Sequence, residues 1–364
     1  MIHRTYFSPS TVAFLACAAV AGLTLAVVPA HAKSAKDFYS GKDLRFIIPS
    51  GAGGGYDAYG RLLARHLGDN IPGHPSLVVE NMPGASGLRG TNYLYNLAPK
   101  DGTVMGATYN TLLTEPLLGD TATKYDPTKF EWIGSITTQY NSCMVWAASP
   151  IKTIQDAMKR EVKVSTTGLS GNSARTPIML NKLIGTKFDL ISGYTTTGMR
   201  FAVERGEVEG ICGFSYDTYE AANPEWIRDH KIRFILQTGS KRAKQLPNVP
   251  LLTEIVKNKK DLQALKVLDV NEQAGRPFLF PPGVPSYLVT ALRTAFNNTM
   301  KDPKFLADAH KMHIEPDPMT GQQIEAALKV SYAMPKDVIA RAAEIWPPAT
   351  SLKKHKGGKK KPKS

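Results

Sequence analysis

The sequence predicts an α/β protein made of two sheet-and-helix units and exported from the cytoplasm. Three observations predict this. Strand-like runs, glycine-rich turns and helical patterns alternate from Asp43 to residue 108. The same alternation restarts at Cys143 and runs to Gln237. An uncharged apolar run over residues 11–28 precedes both.

That run follows Arg4 and ends at Pro29-Ala30-His31-Ala32, an A-x-A site, with Lys33 next. The pattern is that of a cleaved secretory signal over residues 1–32. Cys17 lies inside the apolar run, which is a poor place for a lipid anchor. No other segment is apolar for long enough to span a membrane, so the chain is expected to be soluble in the periplasm.

In the first unit, Asp43–Ile48 reads as a buried strand ending at Pro49 and the run Gly51-Ala-Gly-Gly-Gly55. Tyr59, Leu62, Leu63 and Leu67 then fall on one helical face. Strands are expected over 76–80 and 103–108, with a helix over 87–97 between them. This alternation predicts a mainly parallel sheet. In the second unit the expected strands are 143–147, 162–166, 188–192, 208–214 and 232–237, with helices at 153–159, from about 172 to 183, and at 198–205. Residues 285–345 read mostly as amphipathic helix. Two such units predict a cleft lined by loops at strand ends.

Composition narrows the function. The chain has 364 residues, 42% hydrophobic and 21% charged. That excludes a disordered chain, a collagen-like repeat and a polytopic membrane protein. The formal charge is +14, but the segment after Leu352 holds seven lysines and no acid. The body is therefore only mildly basic, which argues against a nucleic-acid surface. The Lys/Gly/Pro tail over 350–364 is expected to be disordered. Cys143 and Cys212 lie in strand-like stretches. Two readings stand for them, a disulfide in an oxidising compartment or two buried thiols.

Five turns carry candidate ligand groups. The first, residues 49–57, offers Ser50, Gly51, Ala52, Gly53, Tyr56 and Asp57. Glycines there let backbone N–H groups converge on an anion at a helix start. The loop lacks the third glycine of a dinucleotide fingerprint and the Gly-Lys-Ser/Thr of a phosphate-binding loop. Asp57 has helix capping as its plain role. The second turn, 166–173, offers Ser170, Asn172 and Ser173, with Ser173 or Asn172 as the expected cap. Arg175 falls in the first helical turn, where a cation opposes the dipole unless an anion is near. The third holds Tyr194 and Thr195, the fourth Ser215 and Asp217, and the fifth Arg276 between Gly275 and Pro277. Tyr109 also lies at a strand-to-helix junction. Tyr56, Tyr109, Tyr194 and Tyr216, if they face the cleft, admit a longer or aromatic carboxylate.

Catalysis finds little support. Ser170 sits in Gly-Leu-Ser-Gly, not in a G-x-S-x-G elbow. His66, His74, His230, His310 and His313 show no metal-ligand spacing with cysteine or carboxylate partners. No enzyme activity, cofactor or metal is expected.

Phe46-Ile-Ile-Pro-Ser-Gly-Ala-Gly-Gly-Gly-Tyr-Asp57 resembles the P-F-x-P-G-G-x-x-D signature of the Bug family, the TctC-like receptors of tripartite tricarboxylate transporters. Val78-Val-Glu-Asn-Met-Pro-Gly-Ala-Ser-Gly87 resembles that family's V-V-E-N-R-P-G-A-G-G. Residues 98–103, 207–210 and 281–285 match further motifs in the family's order. The resemblance implies a two-lobed, type II-like Venus-flytrap binding protein with a crossed-over chain. Lobe one would comprise 33–140 and 237–349, and lobe two 141–236. A small carboxylate would bind between Ser50, Gly51, Ala52 and Asp57 on one side and Ser170, Asn172, Ser173, Thr195 and Asp217 on the other. The protein would be a monomer handing its ligand to a two-subunit membrane permease. Ser50, Ala52, Met82 and Ser86 depart from the family pattern, so the ligand is not copied from a relative. The competing function with the same closure is a carboxylate sensor signalling to a membrane kinase. A secreted hydrolase is a third reading.

Overall fold

The structure, a computed structural model, describes residues 1–3, 34–169 and 171–352. Most of the expected signal peptide, Ser170 and residues 353–364 lie outside the described residues. Among its described residues, the unit that begins at Ser34 holds eleven strands. They are β1 (Asp43–Ile48), β2 (Ser76–Asn81), β3 (Val104–Ala107), β4 (Glu131–Ser135), β5 (Asn141–Trp146), β6 (Val162–Thr166), β7 (Phe188–Ser192), β8 (Gly210–Ser215), β9 (Ile232–Gln237), β10 (Pro277–Phe280) and β11 (Met319–Thr320). They form a six-stranded sheet, β11-β4-β10-β3-β1-β2, and a five-stranded sheet, β7-β6-β8-β5-β9. The chain leaves the first sheet after β4, builds the whole second sheet, and returns with β10 and β11.

The expectation of a mainly parallel sheet needs correction. β1 is parallel to β2 and β3, and β6 to β7 and β8. β10 runs antiparallel to β3 and β4, and β5 antiparallel to β8 and β9. A parallel neighbour needs a crossover connection. The helices Gly55–Asn70 and Leu88–Asn96 provide one on the first side, and Asn172–Ile184 and Thr196–Glu204 on the second. The strands beside the inter-sheet crossings have no such helix against their partners. β10 was hidden because it opens on Pro277, which a strand accepts only where its missing N–H is harmless.

The first core lies beneath the six-stranded sheet, where Phe46 and Ile48 meet Leu62, Leu63 and Leu67 of the Gly55–Asn70 helix and Phe278 and Phe296. A second core gathers Val145, Val162 and Val164 of the five-stranded sheet with Leu265 and Leu268 of the Lys259–Gln273 helix. Ala342 and Ile345 of the Lys336–Ile345 helix pack in this core too. The C-terminal residues 237–349 are thus divided between these cores and a third, which holds Val270, Leu279, Ile324 and Leu328. Their helical faces, not their place in the chain, decide which sheet they cover. Cys143 and Cys212 are register partners on β5 and β8 and form a disulfide. No helix among the described residues is long and apolar enough to cross a membrane.

Candidate functional site

β1 delivers the chain to the glycine loop, and the Gly55–Asn70 helix begins at Gly54 with no side-chain cap. Asp57, in the first turn, is almost fully buried. Its carboxylate accepts the Gly53 N–H at 2.8 Å, Arg61 Nε at 2.9 Å and Asn81 Nδ2 at 2.8 Å. Burial opposes its charge, but the bonds from Arg61, Asn81 and Gly53 outweigh it and hold the carboxyl below its ordinary value. Asn81 Nδ2 also donates to the Ser50 carbonyl at 2.8 Å. Gly53 takes a φ of +77°, where a side chain would be strained. Asp57 and the Gly53 amide therefore brace the loop from within and do not line its cavity. Ser50 Oγ, by contrast, is buried without a hydrogen-bond partner, on the cavity wall beside Gly51, Ala52 and Gly55.

Beneath this loop lies Arg276, 8% exposed. Its guanidinium stacks 4.5 Å from the Tyr56 ring centroid and 4.9 Å from that of Tyr59. One terminal nitrogen donates to Gln139 Oε1 and to the Gly275 carbonyl. Its Nε has no acceptor. Among the described residues no carboxylate lies within ion-pair distance of it. Tyr56 stacks on Tyr109 at 4.2 Å and donates its hydroxyl to Asn110 Oδ1 at 3.0 Å. Burial, only partly offset by Arg276, keeps that hydroxyl protonated.

The opposite wall comes from loops of the second sheet. Thr167, Gly171, Asn172 and Ser173 follow β6, Thr195 and Thr196 follow β7, and Gly213, Phe214 and Thr218 close β8. Gly213 has a φ of +83°, and a Cβ there would lie 2.2 Å from the Asn172 carbonyl oxygen. Only glycine lets the end of β8 meet this helix start. Gly171, not Ser173 or Asn172, is the helix N-cap. Ser173 Oγ instead bonds Thr166 Oγ1 at 3.0 Å and accepts the Thr167 N–H at 3.3 Å.

The two walls enclose about 630 Å3. Arg276 is the one charged side chain among the described residues on them. The helices Gly55–Asn70, Asn172–Ile184 and Thr196–Glu204 all begin at this cavity, adding positive dipole ends. Chemically it is a neutral, hydroxyl- and amide-rich cleft with one desolvated cation, fitted to bind an anion.

Of the sequence candidates, Ser50, Gly51, Ala52, Tyr56 and Tyr109 share this cavity with Asn172, Ser173, Thr195 and Arg276. Arg175 does not reach it. The residue lies about 200° around the helix from Ser173, is 1% exposed, and pairs with Glu115 through both terminal nitrogens. Tyr194 turns away, its hydroxyl on Glu207 at 3.3 Å. Ser215 shares a 3.0 Å hydrogen bond with Thr218. Asp217 faces a separate cavity with Lys241, Lys244 and Glu315. Burial, with Glu220 adding, pushes its carboxyl up to about 6 against the pull of Arg276. Sequence reasoning missed Asn110, Thr111, Gln139 and Thr218. Asn110 carried a usable signal as the neighbour of Tyr109 at a strand end. Gln139, in the crossing between sheets, carried none.

A sequence profile described as tripartite tricarboxylate transporter family receptor matches residues 63–342. A Cupriavidus necator relative, the UPF0065 protein in the gbd 5' region, is 28% identical over 318 residues, covering 84% of this chain and 88% of its own. A TctC solute-binding protein from Polaromonas superposes with a TM-score of 0.62 at 22% identity, over 83% of this chain and 99% of that one. An R. palustris protein solved with adipate gives 0.63 at 19% identity, over 85% and 98%. These superpositions show a shared fold, and the profile spans most of the sequence. The chain therefore belongs to the tripartite tricarboxylate transporter receptor family, with that family's two-lobed fold and a solute-binding rather than an enzymatic role.

Proposed function

We propose that this protein is a periplasmic receptor that captures a small organic carboxylate in the cleft and hands it to a two-subunit membrane permease. The observation that carries the reading is Arg276, a buried guanidinium with an unused N–H and no carboxylate partner. An uncompensated buried charge is costly, and a bound carboxylate would relieve that cost. Ser50 Oγ and the helix starts would supply further donors. Hydrogen bonds to a charged group contribute roughly 1.5–3 kcal/mol each. Three or four of them are enough for micromolar binding, about −8 kcal/mol. The adipate in the R. palustris protein supports the ligand class. The disulfide supports an oxidising compartment, as do the signal-like residues 1–32. The ligand would favour the closed form by bridging both walls.

A thermal-shift screen of mono-, di- and tricarboxylates, followed by calorimetry on Arg276→Gln, tests the binding. Stabilisation by at least one carboxylate, lost in the variant, is expected; no response to any carboxylate overturns the reading. Deletion of the gene should abolish uptake of that carboxylate. If uptake persists while a carboxylate-dependent transcriptional response is lost, signalling replaces delivery.

A further inference from the structure

Behind the cleft lies a smaller cavity that shares Asn110 and Asn172 with the cleft wall. Its free space is about 40 Å3, room for roughly three water-sized groups. Met179, Leu252, Leu265, Leu268 and Trp346 form its apolar side, and all are buried. Asp269 and Glu272 also face it, and no lysine or arginine among the described residues does.

Charge and shape here point the same way. The cleft offers one cation, Arg276. A second ligand carboxylate extended past Asn172 would find no cation in the rear cavity and would lose water against its leucine and tryptophan surfaces. A short aliphatic group would meet leucine and tryptophan surfaces, each buried CH2 contributing favourably on leaving water. We infer that the ligand is an amphipathic monocarboxylate, its carboxylate on Arg276 and a short aliphatic tail passing between Asn110 and Asn172 into this apolar cavity. The inference rests on the carboxylate reading of the cleft. It narrows that reading to ligands whose far end is uncharged.

Calorimetry on the mature protein with propionate, hexanoate, adipate and 6-aminohexanoate tests it. Hexanoate should bind at least tenfold tighter than propionate. It should also exceed by tenfold adipate, which has the same number of carbons and a second carboxylate. In Leu268→Phe, which fills the cavity, the hexanoate-to-propionate ratio should fall close to one. If that variant fails to fold, the wild-type series decides alone. Adipate binding as tightly as hexanoate, or no gain with chain length, overturns the inference. Tightest binding of 6-aminohexanoate also overturns it and gives the cavity to an ammonium held by Asp269 and Glu272. These failures are separate from failure of the carboxylate reading. Adipate binding that is lost in Arg276→Gln keeps that reading and sinks only the tail; no binding by any of the four acids sinks the tail, and the carboxylate reading falls with it only if no acid of the wider screen stabilises the protein.

Discussion

Arg175 and Glu115 form a buried ion pair joining the Asn172–Ile184 helix to the segment that follows β3. The two side chains are 1% and 3% exposed. Arg175 Nη2 meets Glu115 Oε2 at 2.9 Å, and Nη1 meets the other carboxylate oxygen. The pair ties a helix of the second sheet to a segment of the first.

Removing one partner leaves the other charge buried and unpaired, which costs roughly 3–5 kcal/mol. Glu115→Gln and Arg175→Met should each lower the melting temperature markedly. The double variant should recover part of the loss. A calorimetric melt of all three checks this, and additive losses would show that the pair is not coupled.

Arg276→Gln should separate stability from binding. It removes an uncompensated buried cation, so the ligand-free protein should melt at the same temperature or higher. Carboxylate affinity should fall by about 1.5–3 kcal/mol, roughly 10- to 150-fold. Parallel loss of both would mean that Arg276 serves packing alone.

Glu272 gives a pH dependence. Burial, with Asp269 adding, pushes its carboxyl up to about 8, although Thr238 and Asn141 donate to it. In the unfolded chain the group ionises near 4.3. Between those values the folded state holds a proton that the unfolded state has lost, so this group makes stability fall as pH rises from about 4.3 to 8. Glu272→Gln should remove that slope. Its melting temperature should exceed the wild type's at pH 8, by up to about 4 kcal/mol in stability, and converge with it near pH 5. Melts across pH 5 to 8.5 read both.

Gly213→Ala should damage the second wall. The new methyl would lie 2.2 Å from the Asn172 carbonyl oxygen, at a φ of +83°. The left-handed backbone alone costs roughly 1–2 kcal/mol, and the clash pushes the helix start out of place. We expect lower stability together with weaker carboxylate binding. Gly185→Ala is the control: it also has positive φ, +70°, but open space around its Cβ position and no place on the cleft. It should cost stability without affinity.

What the sequence by itself determined is local. Apolar runs of strand length, each ending at glycine and followed by a helical face, specified β1, β2, β6, β7 and most of their helices, because periodicity and turn chemistry act over a few residues. The same logic located the loops at residues 50–56, 172–173 and 195 that line the cleft. Tertiary structure decided what each polar side chain does. Arg175 and Arg276 look alike in sequence, each beside a glycine- or hydroxyl-rich turn. One finds Glu115, sixty residues earlier, and is neutralised; the other finds Gln139, two tyrosine rings and no acid. Asp57 likewise turns inward because Asn81, on the neighbouring strand, waits for it. β10 became a strand only because β3 and β4 flank it, despite Pro277. A side chain's charge balance is set by partners that distant parts of the chain bring to it, and no local pattern records them.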